Sequence, residues 1–172
     1  MAGHIDVRVK ISAPLEVTWR IAAEAENPDA SAGTGDRHAP GHEVIAWDPE
    51  NNRITYRITT APDHNGHSWS YCAERNTDVA NKTAHARRWG NENFAYSYAF
   101  WQYTGSAEAS EIRCVADFEM TPSAPLSDQQ MEVFMERGTR RAMESTARAA
   151  EEEARSAGAA TGEVAAPTDA AV

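Results

Sequence analysis

Alternation is the feature of this chain that most narrows its fold. Residues 4–11, HIDVRVKI, put Ile5, Val7, Val9 and Ile11 on one face, a period of two that suits a strand and not a helix. The same period returns at 53–60 (RITYRITT, with Ile54, Tyr56 and Ile58), 67–75 (HSWSYCAER), 94–104 (FAYSYAFWQYT) and 110–120 (SEIRCVADFEM). Shorter strand-like runs occupy 43–48 (EVIAWD) and 83–89 (TAHARRW). Turn-forming stretches separate these runs, among them DPENN, PDHNG (62–66) and GSAEAS. One-sided alternation in so many segments predicts an antiparallel sheet with a single buried face.

Two segments carry helical spacing instead. Residues 14–25, PLEVTWRIAAEA, open with a proline suited to a first turn and repeat Leu15, Thr18, Trp19 and Ala22. After Pro122 and Pro125, the stretch Ser127 to Gln130 has the form of a capping box. A long helix is predicted to follow, with Met131, Phe134, Met135, Gly138, Ala142 and Thr146 on one face. The order strand, helix, loop, six strands, long helix predicts an α+β fold. Its sheet grips the C-terminal helix and leaves a space between them. Residues 26–43 hold no aromatic or large aliphatic residue and read as a loop. The folded domain is expected over 1–153. Residues 154–172, rich in Ala, Gly, Thr and Pro without an apolar period, are expected to be a disordered tail.

The 172 residues suffice for a real core. With 16 Lys and Arg against 26 Asp and Glu, the formal charge is -10, which repels nucleic acid and anionic membrane surfaces. No apolar run approaches the roughly 18 residues of a membrane span, and the N-terminus lacks a signal-like apolar stretch, so a cytoplasmic protein is expected. Cys72 and Cys114 read as free thiols. His38 and His42, and His64 and His67, are spaced like metal ligands. They lie in Gly- and Pro-rich turns without a fixed carboxylate partner, so no metal is expected. There is no GxSxG, P-loop or GxGxxG motif.

One strand carries a charge in an unusual place. In HSWSYCAER, Trp69, Tyr71, Ala73 and Arg75 share a face. Burying an unpaired guanidinium is costly, so two readings stand. Arg75 either ends the strand beside a carboxylate, or presents a cation inside an aromatic-walled cavity suited to an enolate, phenolate or carboxylate. In the strand at 94–104, Ala95, Ser97, Ala99, Trp101 and Tyr103 share a face that either leaves room for a ligand or packs as ordinary core, and from this strand alone the core reading is the expected one. Phe94, Tyr96, Tyr98 and Phe100 read as ordinary packing on the other.

The stretches HSWSYCAER, ENFAYSYAFWQYT and DFEMTPSAPLSDQQM, with AGHIDVRVKISAPLEVTW at the start, resemble the aromatase/cyclases of bacterial type II polyketide synthesis, of the tetracenomycin and spore-pigment type. The resemblance runs from Ala2 to about Glu152. It implies the helix-grip fold of the START/Bet v1-like (SRPBCC) superfamily. It also implies a cofactor-independent lyase-type enzyme of antibiotic or pigment biosynthesis, which binds a poly-β-ketone tethered to an acyl carrier protein and promotes aldol cyclisation and aromatisation. By the same resemblance Arg75 anchors an oxyanion and Trp69 and Trp101 wall the pocket. Tyr71 or an ordered water moves protons, Ala73, Ser97, Tyr103, Phe134 and Glu136 are expected to line the substrate, and Glu136 is either a base or a partner for Arg75. A non-catalytic carrier of an aromatic polyketide would use the same pocket. Four departures stand out: Tyr71 where the family has a second tryptophan, Ala73 where it has serine, Glu136 near a family asparagine, and a 26–43 segment without aromatics.

Overall fold

In a computed structural model, residues 2–24, 42–59, 66, 68 and 70–162 are described. Strand β1 (Gly3–Ile11) leads into helix α1 (Leu15–Glu24). Six strands follow: β2 (His42–Asp48), β3 (Arg53–Thr59), β4 (Ser70–Asp78), β5 (Thr83–Trp89), β6 (Phe94–Gly105) and β7 (Ser110–Met120). The C-terminal helix α2 spans Asp128–Gly162. The seven strands form one curved antiparallel sheet in the order β1-β7-β6-β5-β4-β3-β2, as the alternation predicts.

The core forms where both helices meet the β1–β7–β6 half of the sheet. Val7 and Phe118 are fully buried, with Ile112 and Cys114 beside them and Met143, Ala147 and Ala150 of α2 above. At the edge of this core Gly3 pairs with Phe118, and a Cβ at Gly3 would stand 2.3 Å from the ring. Only glycine lets β1 lie so close. Helix α1 is fixed by a buried polar relay. The Ser110 hydroxyl donates to the Ala13 carbonyl over 3.0 Å, so the Thr18 hydroxyl, 2.7 Å away, donates to Ser110.

Three expectations shift. The buried stripe of α2 is Met135, Met143, Ala147 and Ala150 with Met131 partly covered, whereas Phe134, Gly138 and Ala142 are exposed. Two ladders of spacing four run side by side on this Ala-rich helix, and apolar contrast between them is weak. The methionine ladder is the one that β1 and β7 accept. Helix α2 also continues to Gly162, past the expected start of a tail. Alanine, glutamate and arginine sustain it, and the Arg20 ion pair with Glu153, the Ser12 amide on Glu151 and the packed Ala154 hold it down. Finally, β6 does not alternate throughout. A bulge between Phe94 and Tyr96 turns Phe94 inward, where its ring meets Phe118 edge-on at 6.1 Å, and leaves Ala95 exposed.

The capping box forms as read. Gln130 N–H donates to Ser127 Oγ over 3.3 Å, and Ser127 N–H donates to Gln130 Oε1 over 3.0 Å. Cys72 and Cys114 are both free and face opposite sides of the sheet. No helix among the described residues is long and apolar enough to cross a membrane.

Candidate functional site

Helix α2 packs chiefly on β1, β7 and α1, so the inner face of β2–β5 is not covered by its core contacts. Pairing register shows what that face holds. One row across the sheet reads Trp47, Ile54, Arg75, Ala86, Ala99, Ala116 and Ile5. The next row toward Tyr71 includes Tyr56, Ala73, Arg88, Ser97 and Phe118. The inner face thus carries two arginines among aromatic and small side chains.

Arg75 is 9 % exposed, which favours the cavity reading over a solvated strand end. The alanines beside it on the row leave space for its long side chain. Its Nη2 donates to the Tyr103 hydroxyl over 3.2 Å, and its guanidinium carbon lies 5.7 Å from the centre of the Trp101 ring. Tyr103 is buried and meets the Trp19 ring of α1 at 5.1 Å in a T-shaped contact. Lys82 Nζ stands 5.6 Å from the Trp19 ring centre and 3.1 Å from the Glu16 carboxylate. Helix α1 therefore braces the phenol that Arg75 contacts.

Arg88 is the residue that sequence reasoning missed. Its guanidinium lies 5.6 Å from the centre of the Tyr71 ring. The signal was present in β5, where Ala84, Ala86 and Arg88 share a face just as Tyr71, Ala73 and Arg75 do. Both cations act on the same interior. Burial pushes the Cys114 thiol up to about 12, and Arg88 and Arg75 each pull against that rise, while Asp6 adds to it.

The predicted residues divide accordingly. Arg75, Tyr71, Ala73, Ser97, Trp101 and Tyr103 share the inner face, with Ala73, Ser97 and Tyr103 buried. Trp69 lies outside the described residues, as do His38, His64 and His67 and most of the 26–43 segment. Phe134 is 69 % exposed, and the exposed Glu136 pairs with Arg140 of the next turn at 3.1 Å, not with Arg75. Proximity along the assumed helix face misled there, because the buried stripe is rotated away from both residues. The opposite face of the sheet has an open depression of about 290 Å³ bordered by His85, Phe100, Arg87 and Asp117. Arg87 is paired with Glu74 and Asp117 with His4, so its charges are already spent on structure. The inner face is the better candidate site.

No family model matches the chain. A Streptomyces cyaneus protein assigned as a polyketide cyclase is 30 % identical over 140 residues, covering 81 % of this chain and 88 % of the relative. The fold is shared with the crystal structure of the Zhui aromatase/cyclase from Streptomyces sp. R1128, at a TM-score of 0.63 and 15 % identity, covering 90 % of this chain and 94 % of that one. A START superfamily protein from Mycobacterium smegmatis matches at a TM-score of 0.57 and 12 % identity, over 89 % of this chain and 97 % of its own. The sheet wrapped on a long C-terminal helix is thus the START/Bet v1-like architecture, and the chain belongs to the polyketide cyclase family.

Proposed function

We propose that this protein is an aromatase/cyclase that receives a poly-β-ketone tethered to an acyl carrier protein and closes and dehydrates a specific ring. The observation that carries this reading is the buried Arg75 guanidinium set against Tyr103 and Trp101 on the inner face. A fixed cation in an aromatic enclosure suits a ketone oxygen on which negative charge develops. The enclosure also holds a flexible chain in one folded geometry, which supplies the orientation term.

The chemistry follows from these groups. A methylene between two ketones loses a proton to water, and Arg75 stabilises the enolate oxygen. The enolate carbon attacks a second ketone; the new C–C bond forms as the carbonyl π bond opens to an alkoxide. Arg75 donates to the Tyr103 oxygen and holds the phenol in place, and Tyr103 passes its proton to that alkoxide. Water returns the proton to Tyr103. Loss of a second α-proton to water then expels the hydroxyl, which leaves as water with the Tyr103 proton; the α-proton returns from water to Tyr103, and the ring moves toward aromaticity. The sequence needs no cofactor, because a methylene flanked by two ketones is already acidic.

Product analysis of a reconstituted minimal synthase tests the reading. Addition of the protein is expected to concentrate the product into one cyclised aromatic. Arg75→Ala is expected to return the mixture to that of the synthase alone. An Arg75→Ala variant that gives the wild-type product pattern sinks the catalytic reading and leaves a non-catalytic carrier.

A further inference from the structure

Trp47 carries a polar group that the reaction above does not use. Its indole Nε1 is shielded from solvent and has no hydrogen-bond acceptor among the described residues. A buried donor without an acceptor keeps its desolvation penalty, and native structures seldom retain one without a reason. Its position is not accidental in geometry. Strand β2 is bulged between Val44 and Ala46, with Ile45 turned to solvent. Simple alternation from the inward Val44 would place Ala46 inside and Trp47 outside. The extra residue reverses this, so Trp47 pairs with Ile54 and joins the row that contains Arg75. Bulges re-aim side chains in this way beside functional sites.

We infer that the Trp47 indole N–H is a second anchor for the ligand, donating a hydrogen bond to a ketone oxygen some distance along the chain from the one held by Arg75. The inference rests on the pocket reading proposed above. The two anchors stand two strands apart, about 10 Å at the backbone, with the apolar Ile54 between them. That arrangement fits a ligand with repeated carbonyls joined by apolar carbon, and a ligand with a single polar end would use only one anchor. Trp47 would then help to fix which segment of the chain lies at Arg75, a role in positioning and specificity and not in proton transfer.

The test uses Trp47→Phe, which keeps an aromatic ring and removes the N–H. The probes are 2,9-decanedione, whose two ketones stand about 9 Å apart in the extended chain, and butylbenzene, which has none. Binding to the full chain is measured by calorimetry, and the indole proton resonances are followed by NMR. The Trp47 resonance is identified by its loss in the variant. The diketone is expected to shift that resonance downfield in the wild type and to bind Trp47→Phe about 5–10-fold more weakly, the effect of one hydrogen bond. Butylbenzene is expected to bind both proteins alike, and ligand-free Trp47→Phe to melt no lower than wild type. If the diketone binds both proteins equally, or binds wild type without moving the Trp47 resonance, the Trp47 inference is wrong and the pocket reading stands. If the diketone does not bind wild type, the pocket reading fails and takes this inference with it.

Discussion

Arg75 reaches from β4 to Tyr103 on β6, and its Nη2 stands 3.2 Å from the phenolic oxygen. Strand β5 lies between them and offers only Ala84 and Ala86 at the crossing. Replacing Tyr103 with phenylalanine removes the oxygen and keeps the ring against Trp19. The expected loss in rate of ring closure is at least about 100-fold, the usual share of a positioned acid. Substrate affinity should stay within about 3-fold, since Arg75 still anchors the ketone. Single-turnover product formation against substrate concentration separates the two effects. A variant that keeps the wild-type rate would remove Tyr103 from proton transfer.

Tyr71 was the sequence-derived candidate for the same proton, and its contact is different. Its ring lies under Arg88, 5.6 Å from the guanidinium. That contact uses the face of the ring and not the hydroxyl. Tyr71→Phe is therefore expected to retain cyclisation within about 3-fold, because a cation over an aromatic face persists without the oxygen. Arg88→Leu is expected to weaken ligand binding about 10-fold or more, as loss of a charge-assisted contact does. Parallel titrations of the two variants with a phenolic polyketide product distinguish the ring from the charge. A Tyr71→Phe variant with 100-fold lower activity would restore Tyr71 as the proton donor.

How far the site could be read from sequence depended on strand regularity. Tyr71, Ala73 and Arg75 came out together because β4 alternates without interruption through them. Arg88 was equally regular, but alternation sets Arg87 on one face of β5 and Arg88 on the other without telling which of the two cations faces inward. Trp47 and Phe94 were beyond alternation altogether, since a bulge precedes or follows each and reverses its face. A bulge is decided by cross-strand packing, which a single strand's pattern does not contain. The α2 stripe failed for another reason. Phe134 is a large apolar residue near the helix start, yet Met131, Met135 and Met143 are the side chains that join the core on this helix. Flexible methionine fills irregular gaps where a rigid ring does not.

Cys114 gives a pH signature for the interior. Its thiol is pushed up to about 12 from an ordinary value of 9.0, chiefly by burial, against the pull of Arg88 and Arg75. The folded state thus holds the proton more tightly than the unfolded chain. Stability from this group is whole below pH 9.0 and is lost as pH rises from there toward about 12. In that window the slope is about 1.4 kcal/mol per pH unit for one proton. Urea unfolding between pH 8 and pH 11, run as the difference between wild type and Cys114→Ala, isolates it from tyrosine and lysine titration. Parallel curves for the two proteins would show that the thiol ionises normally. The native thiol is also expected to resist alkylation at pH 8 while the outer-face Cys72 reacts.

The start of α2 offers a stability test independent of the ligand. Ser127 and Gln130 satisfy each other's backbone N–H groups, and the Asp128 carboxylate accepts from the Met120 N–H over 2.7 Å, tying the first turn to the end of β7. Ser127→Ala removes the cap acceptor and strips Gln130 of its hydroxyl partner. The expected cost is about 1 kcal/mol of unfolding free energy. Gln130→Ala should cost less, because Ser127 still caps the Gln130 N–H, and the double variant should fall short of the sum, because the two side chains serve one another. Urea midpoints at constant slope measure all three. Fully additive effects would mean that the reciprocal contact contributes nothing beyond two separate hydrogen bonds. The capping contacts involve neither Arg75 nor Tyr103, so cyclisation by Ser127→Ala is expected to match wild type wherever the protein remains folded.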